Sequence, residues 1–293
     1  MSDWVDLHIH SNKSSDGDFS PLHLIRLARE SGFKAISISD HDTTAAYPDA
    51  VDLSRDSGVE VIPSIELTTL FDSREFHLLL PFVNWESPVV RSIMTRVRET
   101  RFQEAKERIQ KLQALGFDIS WEEVLKKTKS TPPLGVTIAQ ILLDKMRKNS
   151  HPEMKKYLKG DNRPFAPYLF YKDYFMEGKP AFVPKRHIRL IEVLKLAPQT
   201  EGVPVLAHPG AYFEQATRED LKFLKEQGLR GVEVYSSYHT PEQVKIYRET
   251  AQELDLVATA GSDFHGRIKP HIHFGFIKDG KYEIVEDLRK RRG

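Results

Sequence analysis

Near its beginning the chain reads Val5-Asp6-Leu7-His8-Ile9-His10, in which apolar and ligand-type side chains alternate with a period of two. Successive side chains of a β-strand point to opposite faces, so one face of this predicted strand carries Asp6, His8 and His10. Two neighbouring imidazoles at the end of a strand can bind one metal ion. The pattern alone is a weak signal, because most histidines at strand ends are hydrogen-bonded polar residues.

Later strand-like runs also end in histidine or carboxylate side chains. One predicted strand covers residues 59–65 and ends at Glu66. The other residues at or just beyond predicted strand ends are His41, His208, Asp263 and His265, and His77 lies inside a further run. In α/β folds active sites are assembled at the carboxyl ends of the strands. With Asp16 from the loop after the first strand, six imidazoles and three carboxylates could converge. This is too many donors for one tetrahedral ion and enough for two or three.

Predicted helices alternate with these strands and indicate an α/β fold. Three strand–helix units within the first 80 residues favour a parallel sheet or barrel. A long amphipathic helix then begins at Arg98, and the pattern stays helical and loop-like up to residue 178. We therefore predict a barrel formed by residues 1–97 and 179–293, interrupted by a helical insertion at 98–178 that caps the substrate.

The composition is that of an ordinary soluble globular protein, with 293 residues, 40% hydrophobic and 29% charged. No apolar run approaches the roughly 20 residues of a membrane span, and no secretory signal is evident. The chain has no cysteine, which excludes disulfides, iron–sulfur clusters and thiolate zinc sites. Any metal must therefore be bound by nitrogen and oxygen, and a cytoplasmic location is expected.

The charge is distributed unevenly along the chain. Residues 98–177 contain 16 basic and 11 acidic residues, a net charge of +5, whereas the whole chain has a net charge of +1. This distribution fits a carboxylate-rich cation site in one part and a surface that faces anions in another. Solvated helix faces explain the basic segment equally well.

Several motifs together resemble those of the polymerase and histidinol phosphatase (PHP) superfamily. They are Asp6-Leu7-His8-Ile9-His10-Ser11, Ser39-Asp40-His41-Asp42-Thr43, the strand end at Glu66, Ala207-His208-Pro209 and Gly261-Ser262-Asp263-Phe264-His265. The resemblance implies a distorted (β/α)7 TIM-like barrel with a trinuclear metal site. It assigns His8, His10, Glu66 and Asp263 to the first metal. The second would share Glu66 and add His77 and His208, and the third would take Asp16, His41 and His265.

The interrupted barrel is similar to a subgroup that dephosphorylates nucleoside monophosphates and 3′,5′-bisphosphates, some members trimming short RNA from its 5′ end. Residues 177–183 resemble the segment of that subgroup in which a lysine, here Lys179, contacts phosphate. Residues 236–242, which include His239, are also similar to it. The subgroup's insertion carries a Gly-Arg-Pro-His stretch that helps to bind the nucleotide. This chain instead reads Leu134-Gly135-Val136-Thr137-Ile138-Ala139.

The expected chemistry is hydrolysis of a phosphate ester by a hydroxide that bridges two metals, with Glu66 as the bridging carboxylate. A third ion and Lys179 would offset the charge of the phosphoryl group. Asp263, His239 and a metal-bound water are the candidates for the leaving-group acid, and His239 is also a candidate substrate contact. Asp40 and Asp42 are expected to orient His41. Two to three divalent ions, Mn, Fe or Zn, suit these ligands.

Three functional hypotheses follow. The first is a phosphoesterase acting on phosphorylated small molecules, nucleotides above all, or on 5′ ends of short RNA or DNA. The second is a non-catalytic, metal-stabilised module that binds nucleic acid through its basic insertion. The third is a metal hydrolase of carboxylic esters or amides. The complete ligand set and the basic insertion favour the first, and the sequence indicates neither a membrane nor an obligate protein partner.

Overall fold

The computed structural model describes residues 3–14, 16–128, 132–148, 155–158, 165–211, 215–277 and 279–292. Its contacts divide the chain into two compact units. One unit comprises Met1–Thr95 and Ile188–Gly293, and the other comprises Arg96–His187. We call them the sheet unit and the helical unit.

Strands and helices alternate along the sheet unit except over residues 60–79, where three strands follow one another. The regular elements described in the interval between its two segments are helices. The strands are β1 (Val5–Ile9), β2 (Ala35–Ile38), β3 (Glu60–Val61), β4 (Glu66–Phe71), β5 (Arg74–Leu79), β6 (Ile188–Arg189), β7 (Val205–Leu206), β8 (Gly231–Ser236) and β9 (Val257–Gly261). The helices are α1 (Pro21–Glu30), α2 (Asp49–Ser54), α3 (Pro88–Ala114), α4 (Trp121–Lys127), α5 (Gly135–Lys148), α6 (Lys155–Leu158), α7 (Ala166–Tyr174), α8 (Leu190–Thr200), α9 (Arg218–Glu226), α10 (Pro241–Glu253) and α11 (Tyr282–Lys290).

The strands form two sheets with the orders β1-β2-β3 and β6-β4-β5-β7-β8-β9. The first sheet is parallel, and in the second β5 runs antiparallel to both neighbours. Backbone bonds also connect β1 to the end of β9, since the Asp263 amide donates to the His8 carbonyl at 2.8 Å. The predicted α/β class is confirmed, and closure into a seven-stranded barrel stays a prediction.

The prediction of one strand over residues 59–65 ending at Glu66 is wrong. That interval contains only the short β3, and Glu66 instead begins β4, which pairs antiparallel with β5. Asp72 and Ser73 connect the two strands, both with positive φ. Positive φ at both central residues is the backbone of a tight hairpin turn. Glu66 and His77 therefore belong to one local hairpin.

The first strand is buried on both faces, which places its histidines in the interior. Val5 and Leu7 pack in a cluster with Val205 and Val257 from the neighbouring strands. His8 and His10 on the other face are also fully buried. The strand therefore delivers two imidazoles to a site that is largely shielded from solvent.

The helical unit has a core of its own, formed by α3, α5 and α7 and the segments beside them. Phe170 is fully buried there, and Ala181 packs in the same cluster. The Arg186 amide donates to the Glu104 carboxylate on α3 at 2.7 Å. Residues 179–187 thus contact the helices of this unit, and the predicted barrel boundary at residue 179 stays a prediction. Among the described helices, none is both long and apolar enough to cross a membrane.

Candidate metal centre

Four side chains converge where the ends of β1 and β9 meet the start of β4. Nε2 of His8 lies 3.2 Å from Nε2 of His10 and 3.3 Å from Oε2 of Glu66. Oδ1 of Asp263 lies 3.2 Å from the first imidazole and 3.0 Å from the second. Ligands about 2.0–2.1 Å from one ion in a tetrahedron are separated by about 3.3 Å. The spacing of these donors therefore fits one cation.

Glu66 connects this group to further histidines through its two oxygens. Oε1 accepts from Nδ1 of His77 at 2.8 Å and lies 3.1 Å from Nε2 of His208. Oε2, which faces His8 and His10, is also 2.9 Å from Nδ1 of His41. A carboxylate whose oxygens face two different sets of imidazoles has the arrangement required to bridge two ions.

A third group of donors surrounds Asp16. Its Oδ2 lies 3.4 Å from Nε2 of His41 and 3.3 Å from Nε2 of His265. The rings of His10 and His265 are stacked with centroids 4.0 Å apart. The structure thus brings all nine predicted ligands into one continuous cluster, and donor atoms of His10, Asp16, His41 and His265 lie within 4.8 Å of one another.

Several buried ligand atoms in this cluster have no hydrogen-bond partner. They are Nδ1 of His10, Nδ1 of His41, Oε2 of Glu66, Oδ1 of Asp263 and Nε2 of His265. Leaving a buried polar atom unsatisfied costs about 1–3 kcal/mol. Nitrogen and carboxylate donors that face one another without protein partners fit divalent cations of the Mn, Fe or Zn type.

The other nitrogens of two histidines are held by hydrogen bonds. Nδ1 of His8 donates to Oε1 of Glu233 at 3.0 Å, and Nδ1 of His265 donates to the Asp263 carbonyl at 2.7 Å. Both rings therefore turn Nε2 towards the cluster. A carboxylate or carbonyl that orients the ring in this way is the usual partner of a metal-binding histidine.

The carboxylates of the cluster stay ionised. Burial opposes the charged form of Glu66, but the rings of His41 and His8 lower its pKa well below the ordinary value. Burial likewise opposes ionisation of Asp263, but Lys269 and His265 hold its pKa well below the ordinary range. The pKa of Asp16 is lowered in the same way, by His41 and His265 against the effect of burial.

The pKa values of the histidines shift in opposite directions. Burial lowers the pKa of His77, but Glu66 outweighs burial and raises it to about 10. For His8, burial is likewise outweighed by Glu66 and Glu233, which raise the pKa well above its ordinary value. Burial dominates at His208 and lowers its pKa. In the absence of metal, protons on His8 and His77 therefore take the place of cations.

The backbone is strained at three positions beside the cluster. Asp42, His208 and Asp263 have positive φ angles of 51°, 25° and 56°. Such conformations are uncommon for residues other than glycine and concentrate at functional sites. They lie beyond the ends of β2, β7 and β9, where the chain turns ligand side chains into the cluster.

Glu233 also belongs to this site, although it was not predicted from the sequence. It lies fully buried in β8, and besides His8 its carboxylate accepts from the His208 amide at 2.8 Å. A Cβ at Gly261 would overlap both the Glu233 carboxylate and the Cβ of His8. A lone acidic residue in the apolar run Gly231-Val232-Glu233-Val234 was the signal that could have revealed it.

The predicted role of Asp40 in orienting His41 is wrong. Its two oxygens accept instead from the Ser11 amide at 2.7 Å and the Ser11 hydroxyl at 2.6 Å. Asp42 accepts from the Thr68 amide at 3.0 Å. Both carboxylates thus accept hydrogen bonds that fix the backbone around the ligands.

Two further residues reach Asp263 from neighbouring loops. The Tyr238 hydroxyl donates to Oδ2 at 2.5 Å, and the Lys269 ammonium donates to the same oxygen at 2.7 Å. The ammonium also donates to the tyrosine hydroxyl at 2.9 Å. Lys269 is 23% exposed, so it brings a positive charge to the edge of the cluster.

The two predicted substrate residues lie in different parts of the chain. Nδ1 of His239 donates to the Val234 carbonyl at 2.8 Å, and Nε2 accepts from the Gly210 amide at 3.0 Å. With both nitrogens bonded to backbone, the ring is a poor candidate for an acid, although the role stays a prediction. Lys179 is an exposed residue of the helical unit, and its phosphate contact also stays a prediction.

Curated relatives cover nearly the whole chain. A 5′-3′ exoribonuclease of Haemophilus influenzae is 26% identical over 90% of this chain and 91% of its own length. A phosphoribosyl 1,2-cyclic phosphate 1,2-diphosphodiesterase of Eggerthella lenta is 26% identical, covering 92% and 97%. A 3′,5′-nucleoside bisphosphate phosphatase of Chromobacterium violaceum is 24% identical, covering 89% and 87%.

The fold has a similar counterpart among solved structures. A protein of Bifidobacterium adolescentis assigned as a metal-dependent phosphoesterase superposes with a TM-score of 0.80. The match covers 99% of this chain and 96% of that protein at 25% identity. The PHP domain model matches residues 6–159, more than half of the chain and six of the nine clustered ligands. This chain is therefore a member of the PHP domain family.

Proposed function

We propose that this protein is a metal-dependent phosphoesterase that removes phosphate from nucleotides, either nucleoside monophosphates or 3′,5′-bisphosphates. The observation that carries the proposal is the ionised Glu66 carboxylate, whose two oxygens face separate sets of imidazoles. Two to three divalent ions, Mn, Fe or Zn, would be held by His8, His10, Asp16, His41, Glu66, His77, His208, Asp263 and His265. Family membership supports the same chemistry.

Bound divalent ions would lower the pKa of water to near neutrality and offset the negative charge of a phosphate ester. The protein's part is to hold the donors in place beforehand. Glu66 would fix the separation of two ions through its two oxygens, and Asp263 would complete the first ion's ligands. Glu233 keeps Nε2 of His8 turned towards them. This arrangement costs no reorganisation when the substrate binds.

Cations of the chain would bind the phosphoryl oxygens not held by metal. Lys269 is the first candidate for such a contact, because its ammonium donates to Asp263 at the edge of the cluster and its side chain is partly exposed. Lys179 is the second, on the resemblance of its segment to a phosphate-binding lysine. His239 would contact the substrate through its ring rather than its nitrogens, since both nitrogens are bonded to backbone.

A 5′-3′ exonuclease acting on short RNA or DNA is the second candidate. It is favoured by the relative from Haemophilus influenzae and by the net charge of +5 of residues 98–177. A basic segment attracts a polyanionic chain, and such binding weakens steeply with salt. A cytoplasmic location remains part of the prediction for either activity.

The test is product analysis after the metal-free protein is reconstituted with Mn²⁺. The substrates are a nucleoside 5′-monophosphate, a 3′,5′-bisphosphate, a cyclic phosphate ester and a 5′-phosphorylated short RNA. We expect inorganic phosphate from the first two, whereas mononucleotides released from the RNA identify the exonuclease. His8→Ala and Asp263→Ala should abolish turnover in a folded protein, and His23→Ala, an exposed histidine on α1, should not.

Two results would overturn the proposed activity, and a third would overturn one metal assignment. RNA binding with a steep salt dependence but no turnover of any phosphate ester would identify a binding module. Faster hydrolysis of carboxylic esters than of phosphate esters would identify a different hydrolase. Normal phosphate release by both His8→Ala and Asp263→Ala would remove the assignment of the first metal.

A further inference from the structure

The two oxygens of Asp263 have opposite environments. Oδ1 faces Nε2 of His8 and His10 and has no hydrogen-bond partner. Oδ2 accepts from Tyr238 and from Lys269. Asp263 is 2% exposed, so this difference arises inside the protein and not at its surface.

The partners of Oδ2 come from separate parts of the chain. Tyr238 follows β8, and its ring packs edge-on against His208 at 5.5 Å. Lys269 follows the short 3₁₀ helix Gly266–Ile268 beyond β9. The Asp263 backbone is fixed as well, because its amide donates to the His8 carbonyl at 2.8 Å. Side chain and main chain of this residue are thus both held in one orientation.

We propose that Tyr238 and Lys269 are positioning residues that hold the outer oxygen of Asp263, so that this carboxylate offers a single oxygen to the metal centre. A carboxylate that rotates freely can bind one ion through both oxygens and fill an additional coordination position. With Oδ2 engaged, that position stays open for water or substrate, as catalytic metal sites require. The inference rests on the proposed metal centre and adds how one coordination position of the bound ion stays open.

Repulsion of the metal ion by the charge of Lys269 would change metal affinity in a different way from positioning of Asp263. If Lys269 only repelled cations, its removal would strengthen metal binding, and Tyr238, which is neutral, would have no influence. If both residues position Asp263, removing either one weakens binding. Groups that orient a metal ligand typically contribute 10–100-fold to metal affinity. The sign of the change therefore separates the two explanations.

The experiment compares Tyr238→Phe, Lys269→Met and Lys269→Arg with the wild type in calorimetric titrations of the metal-free protein with Mn²⁺. We expect Tyr238→Phe and Lys269→Met to weaken one binding step about tenfold, and Lys269→Arg to restore part of the loss. The Co²⁺-substituted protein gives a second readout. The visible spectrum of bound Co²⁺ depends on which atoms coordinate the ion, so Tyr238→Phe and Lys269→Met should each change the spectrum per bound ion.

Tyr282→Phe is the matched control. The Tyr282 hydroxyl donates to the Glu60 carboxylate with a distance of 2.7 Å, and neither residue belongs to the metal cluster. This variant should bind Mn²⁺ like the wild type. Wild-type affinities and spectra in both Tyr238→Phe and Lys269→Met would overturn the inference, as would tighter binding by Lys269→Met with Tyr238→Phe unchanged. A wild-type protein that binds no Mn²⁺ would instead refute the proposed metal centre, and this inference with it.

Discussion

Replacing Glu233 by glutamine should weaken metal binding without unfolding the protein. The two oxygens of this carboxylate accept from Nδ1 of His8 at 3.0 Å and from the His208 amide at 2.8 Å. Glutamine offers one acceptor and one NH₂ group, so one of these N–H groups would face another donor. The substitution also removes the charge that orients the imidazole.

The size of the effect follows from these two bonds. One unmatched buried donor costs about 1–3 kcal/mol of stability. A lost orienting partner lowers metal affinity about 10–100-fold, or roughly 1.4–2.8 kcal/mol. We therefore expect Glu233→Gln to melt at a lower temperature than the wild type. The cation bound by His8 should dissociate at least about tenfold more readily.

Calorimetric titration of the metal-free variant with Mn²⁺ measures this affinity, and thermal unfolding measures the stability. Glu104→Gln is the matched control, since Glu104 is a buried carboxylate that accepts from a backbone amide in the helical unit. It should lose stability and keep wild-type metal affinity. If Glu233→Gln bound Mn²⁺ as tightly as the wild type, the proposed orienting role would be refuted.

Further predictions concern protons and packing. The raised pKa values of His8 and His77 mean that metal must displace protons, so Mn²⁺ affinity should rise from pH 7 towards 10, and calorimetry in buffers of different ionisation enthalpy should detect proton release. In the metal-free protein, the contribution of His77 to stability should be fully present below pH 6.5 and be lost as the pH rises through about 10, which denaturation at several pH values would measure. Burial raises the pKa of Asp40 to about 6, so the stability of the wild type relative to Asp40→Asn should fall by about 3 kcal/mol between pH 4 and 6; an unchanged difference would contradict this. Gly261→Ala should destabilise the protein by about 1–3 kcal/mol and weaken Mn²⁺ binding, because the new methyl group overlaps the Glu233 carboxylate; wild-type melting would show that the strands yield there.

The ligands were predictable because strand alternation and strand ends are local properties of the sequence. His8 and His10 follow from a period of two, and His208 and Asp263 from apolar runs that stop at polar residues. The expected α/β class followed from the same runs. The structure brings these donors together, as expected for side chains at the carboxyl ends of neighbouring strands.

The hairpin that carries Glu66 was not predictable in the same way. Residues 59–65 are apolar enough to resemble one strand, and only the turn at Asp72 and Ser73 marks the antiparallel pairing. Tertiary contacts determine where this strand begins, because β4 pairs with β5 on one side and with β6 on the other.

The supporting residues were missed for a related reason. Glu233 acts through His8, 225 positions away, and Lys269 shares Asp263 with Tyr238, which lies 31 positions from the lysine. No local pattern encodes such pairing. Asp40, which was expected to orient its sequence neighbour, bonds instead to Ser11, 29 positions earlier.

The split of the cluster between the two ends of the chain has a consequence for folding. His8 and Asp263 are separated by 255 positions, yet they meet at one cation position and share a backbone bond. An ion bound there would cross-link the first strand to the segment after the last strand. Closing so long a loop carries a large entropic cost for the unfolded chain. Removing the ion by chelation should therefore loosen the two ends first, while the intervening helices keep their own core.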